Sequence, residues 1–89
     1  YIESVRHTLH FYLTQGEVRT MTGKLDRIEE DLNNEEFIRI HKSYLVNYRH
    51  IQMISNYQVV LDENHILPIP RDKYRKVREV YYCLKGGRR

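Results

Sequence analysis

Five histidines among 89 residues are the first place to look for metal chemistry, and His7 with His10 is the only closely spaced pair. On a strand that separation turns the two rings to opposite faces, and no third His or Cys stands at a zinc-site spacing. Ser43 follows His41 by two residues, yet no glycine-bearing elbow surrounds it to present a nucleophile. The glycines stand at 16, 23, 86 and 87, too scattered to cradle a phosphate. These residues point away from an enzyme and away from any metal or cofactor. What remains is a set of bends rich in Arg, Lys, His, Ser and Asn. Such side chains donate hydrogen bonds to phosphates and base edges, and they serve an acidic protein surface equally well.

The elements that must hold those bends are mostly strands. From His7 to Leu13 the residues alternate, with Leu9, Phe11 and Leu13 on one face and Thr8, His10 and Tyr12 on the other. Gln15 and Gly16 offer a turn, and Glu17 to Met21 reads as the return strand of a hairpin. A short helix over 23–32 follows, with Thr22 as its cap, Leu25, Ile28 and Leu32 at helical spacing, and an end near Asn33 and Asn34. Phe37–Ile40, Tyr44–Val46 and His50–Ile54 are rich in β-branched and aromatic residues. After a turn at Ser55 and Asn56, Tyr57–Leu61 and His65–Ile69 flank the polar loop Asp62, Glu63 and Asn64, which completes a β meander. Tyr74, Val77, Tyr81 and Leu84 then recur at steps of three or four, which predicts an amphipathic helix over 71–84 stopped by Gly86 and Gly87. Cys83 and the tyrosines of that helix read as core.

The length allows one domain over 1–89 with a thin core, so function is expected on the surface. The longest apolar run is the five residues from Val80 to Leu84, far short of the roughly 20 that cross a bilayer. A lone cysteine fits a reducing compartment, and the expectation is a soluble, cytoplasmic protein. The chain opens on Tyr1 and Ile2, already strand-like, and reads as a fragment of something longer. Net charge is only +3, but the acids gather between Lys24 and Glu36 while the cations gather from Arg71 to Arg89. No strand shows the paired outward aromatics that stack unpaired bases, which disfavours RNA.

The segment Phe37-Ile-Arg-Ile-His-Lys-Ser-Tyr-Leu-Val-Asn47, followed by Ile51, resembles the signature of the LytTR family, the DNA-binding domain of many bacterial response regulators. Tyr-Ile-Glu-Ser at 1–4, the helix Leu25 to Leu32 and Leu-Pro-Ile-Pro-Arg-Asp-Lys-Tyr at 67–74 fall in that family's order, so the resemblance spans almost the whole chain. It implies an elongated, mainly β fold of short antiparallel sheets and hairpins that binds double-stranded DNA through loops, as two copies on direct repeats, and regulates transcription. It also implies a longer regulator in a two-component system, whose receiver domain answers to a sensor histidine kinase, and allows a homodimer.

Residue by residue, the resemblance places base contacts at His7, Lys42 and Arg71, with Lys42 better suited as a point charge to a phosphate. It places phosphate contacts at Ser43, Lys73, Lys24 and Arg6. Arg39 and His41 are expected to be structural, and Asn47 to close a turn. Three departures stand out, the first being Lys42 itself where the family commonly has Arg or Asn. Family members usually carry one or two further strands before the Tyr-Ile-Glu segment, whose absence implies an uncovered sheet edge. Pro70 stands where the family usually has Ser, which removes a cap but presets the first helical turn. The alternative function is a protein-interaction module that uses a sheet edge and the basic C-terminal helix.

Overall fold

The computed structural model describes residues 1–32 and 36–86. Eight strands and two helices are laid out as β1 (Ile2–Val5), β2 (Thr8–Tyr12), β3 (Val18–Thr22), α1 (Leu25–Leu32), β4 (Phe37–His41), β5 (Tyr44–Asn47), β6 (Ile51–Ser55), β7 (Gln58–Leu61), β8 (Ile66–Pro68) and α2 (Arg71–Gly86). The strands form a five-stranded antiparallel sheet in the order β3-β2-β1-β5-β4 and a three-stranded one in the order β6-β7-β8. The mainly β architecture read from the sequence is the one observed.

Alternation along the strands sorts the larger sheet into two faces. Ile38, Ile40 and Val46 point toward the second sheet and α2, where they join Ile51, Ile54, Val59, Leu61, Leu67, Ile69, Val77 and Tyr81 in the main core. Ile2, Leu9 and Leu45 point the other way, onto Leu25 of α1, and make a smaller core with Phe11, Ile28 and Phe37 at its margin. Each face is apolar because the strands carry large aliphatic residues on it, and burial of these side chains is the main favourable term in folding. The Tyr81 hydroxyl donates to the Ile51 carbonyl at 3.3 Å inside the main core, so the one buried polar group of α2 is satisfied.

Several local expectations shift. His7 does not open a strand: Arg6 and His7 are the two central residues of the β1–β2 turn, with φ of 48° and 68°. A type I′ two-residue turn, whose twist matches that of the strands, takes positive φ at both positions, whatever residues occupy them. Tyr57 likewise leaves β7 for the β6–β7 turn, with Asn56 at φ 52° and Tyr57 at φ 60°. Thr22 is not the cap of α1. The Lys24 carbonyl accepts from the Arg27 and Ile28 amides instead, so the helix starts at Leu25. Helix α2 runs through Gly86, two residues past the predicted end, while Asn33, Asn34 and Gly87 lie outside the described residues.

Cys83 is exposed and Tyr82 is 51% exposed, so neither belongs to the core; Tyr81 does, and Tyr74 lies against it. The first strand is interior, paired with β2 and β5, so the bare edge beside the N-terminal meander belongs to β3, all five of whose residues are exposed.

Candidate nucleic-acid interface

Three chain reversals meet at one end of the larger sheet. The Ser4 amide donates to the Ser43 carbonyl at 2.8 Å, which sets the β4–β5 bend of Lys42 and Ser43 beside the end of β1. The Gly23 amide donates to the His7 carbonyl at 3.0 Å, which draws Lys24 to the β1–β2 turn. Gly23 sits close to the small core: a Cβ on it would meet Cδ1 of the fully buried Leu9 at 3.3 Å and ask that side chain to shift by a few tenths of an ångström. Arg6, His7, Lys24 and Lys42 are all exposed at this end, with Ser43 half-buried among them.

The β4–β5 bend is held from behind. Arg39 Nε donates to the His41 carbonyl at 2.9 Å and one terminal nitrogen donates to the Lys42 carbonyl at 2.8 Å. Its other terminal nitrogen bridges Asp26 at 2.8 Å and Glu29 at 2.7 Å on α1. A planar guanidinium reaches four acceptors at fixed angles, so one side chain, 18% exposed, locks the bend to the helix.

The His41 Nδ1 accepts from the Ser43 amide at 3.0 Å, so the ring is a neutral turn-closer with its proton on Nε2. Burial, then the charges of Lys42, Arg39 and Lys73, hold His41 below the ordinary histidine value. Lys73, on the first turn of α2, is the most weakly felt of these charges. Asn47 is also structural, its Oδ1 accepting from the Arg49 amide at 2.9 Å.

Arg71 opens α2 and lies against the β6–β7 turn of the other sheet. Its guanidinium lies over the Tyr57 ring, 4.6 Å from the centroid, and Tyr57 packs in turn on Tyr74 at 4.5 Å. No acid pairs with Arg71 among the described residues, Asp72 included. The same holds for Arg6, Lys24, Lys42 and Lys73, whereas Arg19, Arg27, Arg39, Arg49 and Arg75 each reach a carboxylate within 4 Å. The cations of this end are thus available to an outside anion. The structure therefore gathers Arg6, His7, Lys24, Lys42 and Ser43, while Arg71 and Lys73 share the first turn of α2.

Sequence reasoning missed Tyr57, since a tyrosine at the head of an apolar segment looks like a strand residue. It also missed a ring cluster on the opposite half of the sheet, where Tyr1 stacks on Tyr12 at 4.5 Å and His10 lies 6.4 Å from Tyr12. Glu3 accepts from the Tyr12 hydroxyl at 3.2 Å and from Tyr44 at 3.5 Å, and burial with this carboxylate keeps both phenols protonated above their ordinary value. These rings are engaged with one another and with Glu3. No group of three or more metal-ligating side chains is present among the described residues, and no helix there is long and apolar enough to cross a membrane.

The model of the LytTr DNA-binding domain family matches residues 1–81. The chain belongs to the LytTR family. Among solved structures, a LytTr DNA-binding domain from Bacillus cereus, described as part of a methyl-accepting/DNA response regulator, superposes with a TM-score of 0.71 at 21% identity, covering 96% of this chain and 78% of that one. At that identity the likeness speaks for the fold. No curated protein matches the chain. Membership of LytTR makes this a chain of a DNA-binding family.

Proposed function

We propose that this LytTR domain binds double-stranded DNA in a sequence-specific manner and regulates transcription as the output domain of a cytoplasmic two-component response regulator. The observation that carries the reading is the cluster of unpaired cations, Arg6, Lys24 and Lys42 with His7 and Ser43, on three bends tied together at one sheet end. Base edges are met by His7 and Arg71, one able to donate or accept through its ring and the other able to donate two parallel bonds to guanine. Lys42, Ser43, Lys24, Arg6 and Lys73 grip phosphates and set register.

Residues 1–89 act as a single domain, and a receiver domain outside this chain, answering to a sensor kinase, brings two copies onto direct repeats. An approach by bends needs no recognition helix, since turn side chains enter the grooves while the sheet stays outside.

Selection from a random duplex library, followed by anisotropy titration of the enriched site, tests this. A shared sequence should emerge, and log K against log salt should fall with a slope of about −4 to −5 if each copy neutralises roughly four to six phosphates. No enrichment, with a flat salt response, would replace the DNA reading by the protein-interaction one.

A further inference from the structure

Among the described residues several turns place a side chain where the backbone favours glycine, and in two of them that side chain is a ring. In the first, His7 stands at φ 68° and meets the proposed DNA surface. In the second, Tyr57 stands at φ 60°. A residue with a Cβ pays about 1 kcal/mol or more to sit in this region, and Asn-Gly is the favoured sequence for such a turn. Asn56 supplies the first half of that signal and Tyr57 replaces the second. Left-handed backbone also occurs at Gln15 and Glu63, so the φ alone assigns no role, and what the Tyr57 ring touches is the deciding observation.

The use is visible in what the ring touches. One side of Tyr57 carries the Arg71 guanidinium at 4.6 Å, and the ring also packs on Tyr74 at 4.5 Å. Arg78 lies over Tyr74 at 5.7 Å and over Tyr82 at 5.8 Å, so cations and rings alternate up the flank of α2. The Ile69 amide donates to the Tyr57 carbonyl at 2.9 Å, which pins the turn to the residue two before Arg71. Pro70, with no N–H and no hydroxyl, offers Arg71 no polar partner. Arg71 therefore lacks any carboxylate or cap to aim it, and the tyrosine face is what fixes its direction.

We infer that Tyr57 is a positioning residue for base readout: its ring holds the Arg71 guanidinium flat and pointed outward before DNA arrives. This rests on the reading of Arg71 as a base contact. Pre-ordering a long, flexible side chain spares the entropy otherwise lost on docking, so removal of the ring weakens discrimination more than grip.

The test measures affinity of the 89-residue chain for the library-selected duplex and for a random-sequence duplex, taking their ratio as specificity. Tyr57→Leu is expected to lower the ratio about three- to tenfold, with random-duplex affinity changed by less than about twofold. Tyr57→Phe retains the ring and the ratio. In the Arg71→Ala background, Tyr57→Leu should lower the ratio no further.

An unchanged ratio in Tyr57→Leu, while Arg71→Ala lowers it, overturns the positioning role alone. An unchanged ratio in Arg71→Ala overturns the base-contact reading and the inference with it. Should Tyr57→Leu fail to fold, NMR of the unsubstituted chain decides: ring-shifted Arg71 side-chain protons and a rigid Arg71 Nε–H are expected, and random-coil shifts would overturn the inference.

Discussion

The meander β1-β2-β3 leading into α1 and the meander β6-β7-β8 leading into α2 are built alike. Each begins with a two-residue turn of positive φ, Arg6–His7 in one and Asn56–Tyr57 in the other. Each continues with a three-residue loop closed by a bond from a leucine amide, Leu13 to Glu17 at 2.8 Å and Leu61 to His65 at 2.7 Å, with Gln15 and Glu63 in the left-handed region. Each ends with a residue whose amide returns to the turn, Gly23 to His7 and Ile69 to Tyr57.

The chemistry then diverges. The first helix begins with Leu25-Asp26-Arg27 and is acidic, and its meander joins β5 and β4 in a wider sheet with all of β3 in solvent. The second helix is basic and packs over the main core, with Leu67 of β8 buried. One backbone plan thus serves two duties. Where the plan places His7 at a tip left open, the turn can present a ring to a ligand; where it places Tyr57, the ring is spent on holding an arginine.

Substitutions can break or sharpen that pairing, and core changes should be the largest. Leu9 and Val59 occupy equivalent second-strand positions and are both fully buried. Leu9→Ala should cost about 3 kcal/mol and Val59→Ala about 2 kcal/mol in urea denaturation, the difference following the carbons removed. A loss below about 1 kcal/mol at Leu9 would show the first meander held by strand pairing and not by its small core.

Next come the two tips. Arg71→Ala should remove about 1–3 kcal/mol of discrimination at one base position, read by competition with single-base variants of the selected site, while Lys42→Ala weakens all duplexes evenly. Equal loss on all duplexes from both changes would erase the distinction between a reading tip and a gripping tip.

Arg39→Ala should cost about 1–2 kcal/mol of stability by thermal melt, since four acceptors lose their donor, and Arg39→Lys should not restore it because an ammonium lacks the fork.

The smallest effect is on pH. His41 titrates below its unfolded value, so between the two values the unfolded chain binds a proton that the folded one refuses. Its contribution is full above the unfolded value and is lost as pH falls through the folded one, when Nδ1 gains a proton and can no longer accept from Ser43. Melting curves from pH 8 to pH 5 should show this decline, and His41→Asn should flatten that part of it.

Much of this plan was legible in particular residues. The alternation Leu9-His10-Phe11-Tyr12 gave β2, and the spacing of Tyr74, Val77 and Tyr81 gave the buried face of α2, because one-sided burial imposes a period on the sequence. Asp62-Glu63-Asn64 announced its loop through its polar side chains. The turn at His7 was hidden and the one before β7 was read one residue early, at Ser55 and Asn56, since aromatic residues at left-handed positions leave no Gly signal and read as strand.

Within the candidate site, Arg39 and Asn47 were read correctly as structural. What joins His7 to Lys24, or Arg71 to Tyr57, is a contact between residues 14 or more positions apart in the chain. Local spacing carries no trace of such contacts. The exposure of Cys83 was missed because an apolar run at a helix end satisfies helical spacing on more than one side.

The Arg39 clamp has an electrostatic outcome. By taking up Asp26 and Glu29 it quiets two carboxylates beside the β4–β5 bend, while further along α1 Asp31 has only its exposed pair with Arg27 and Glu30 stays in solvent. On the proposed DNA reading, a polyanion approaching the lysines meets attraction at one end of the helix and uncovered acid at the other, a built-in rudder that favours a single heading.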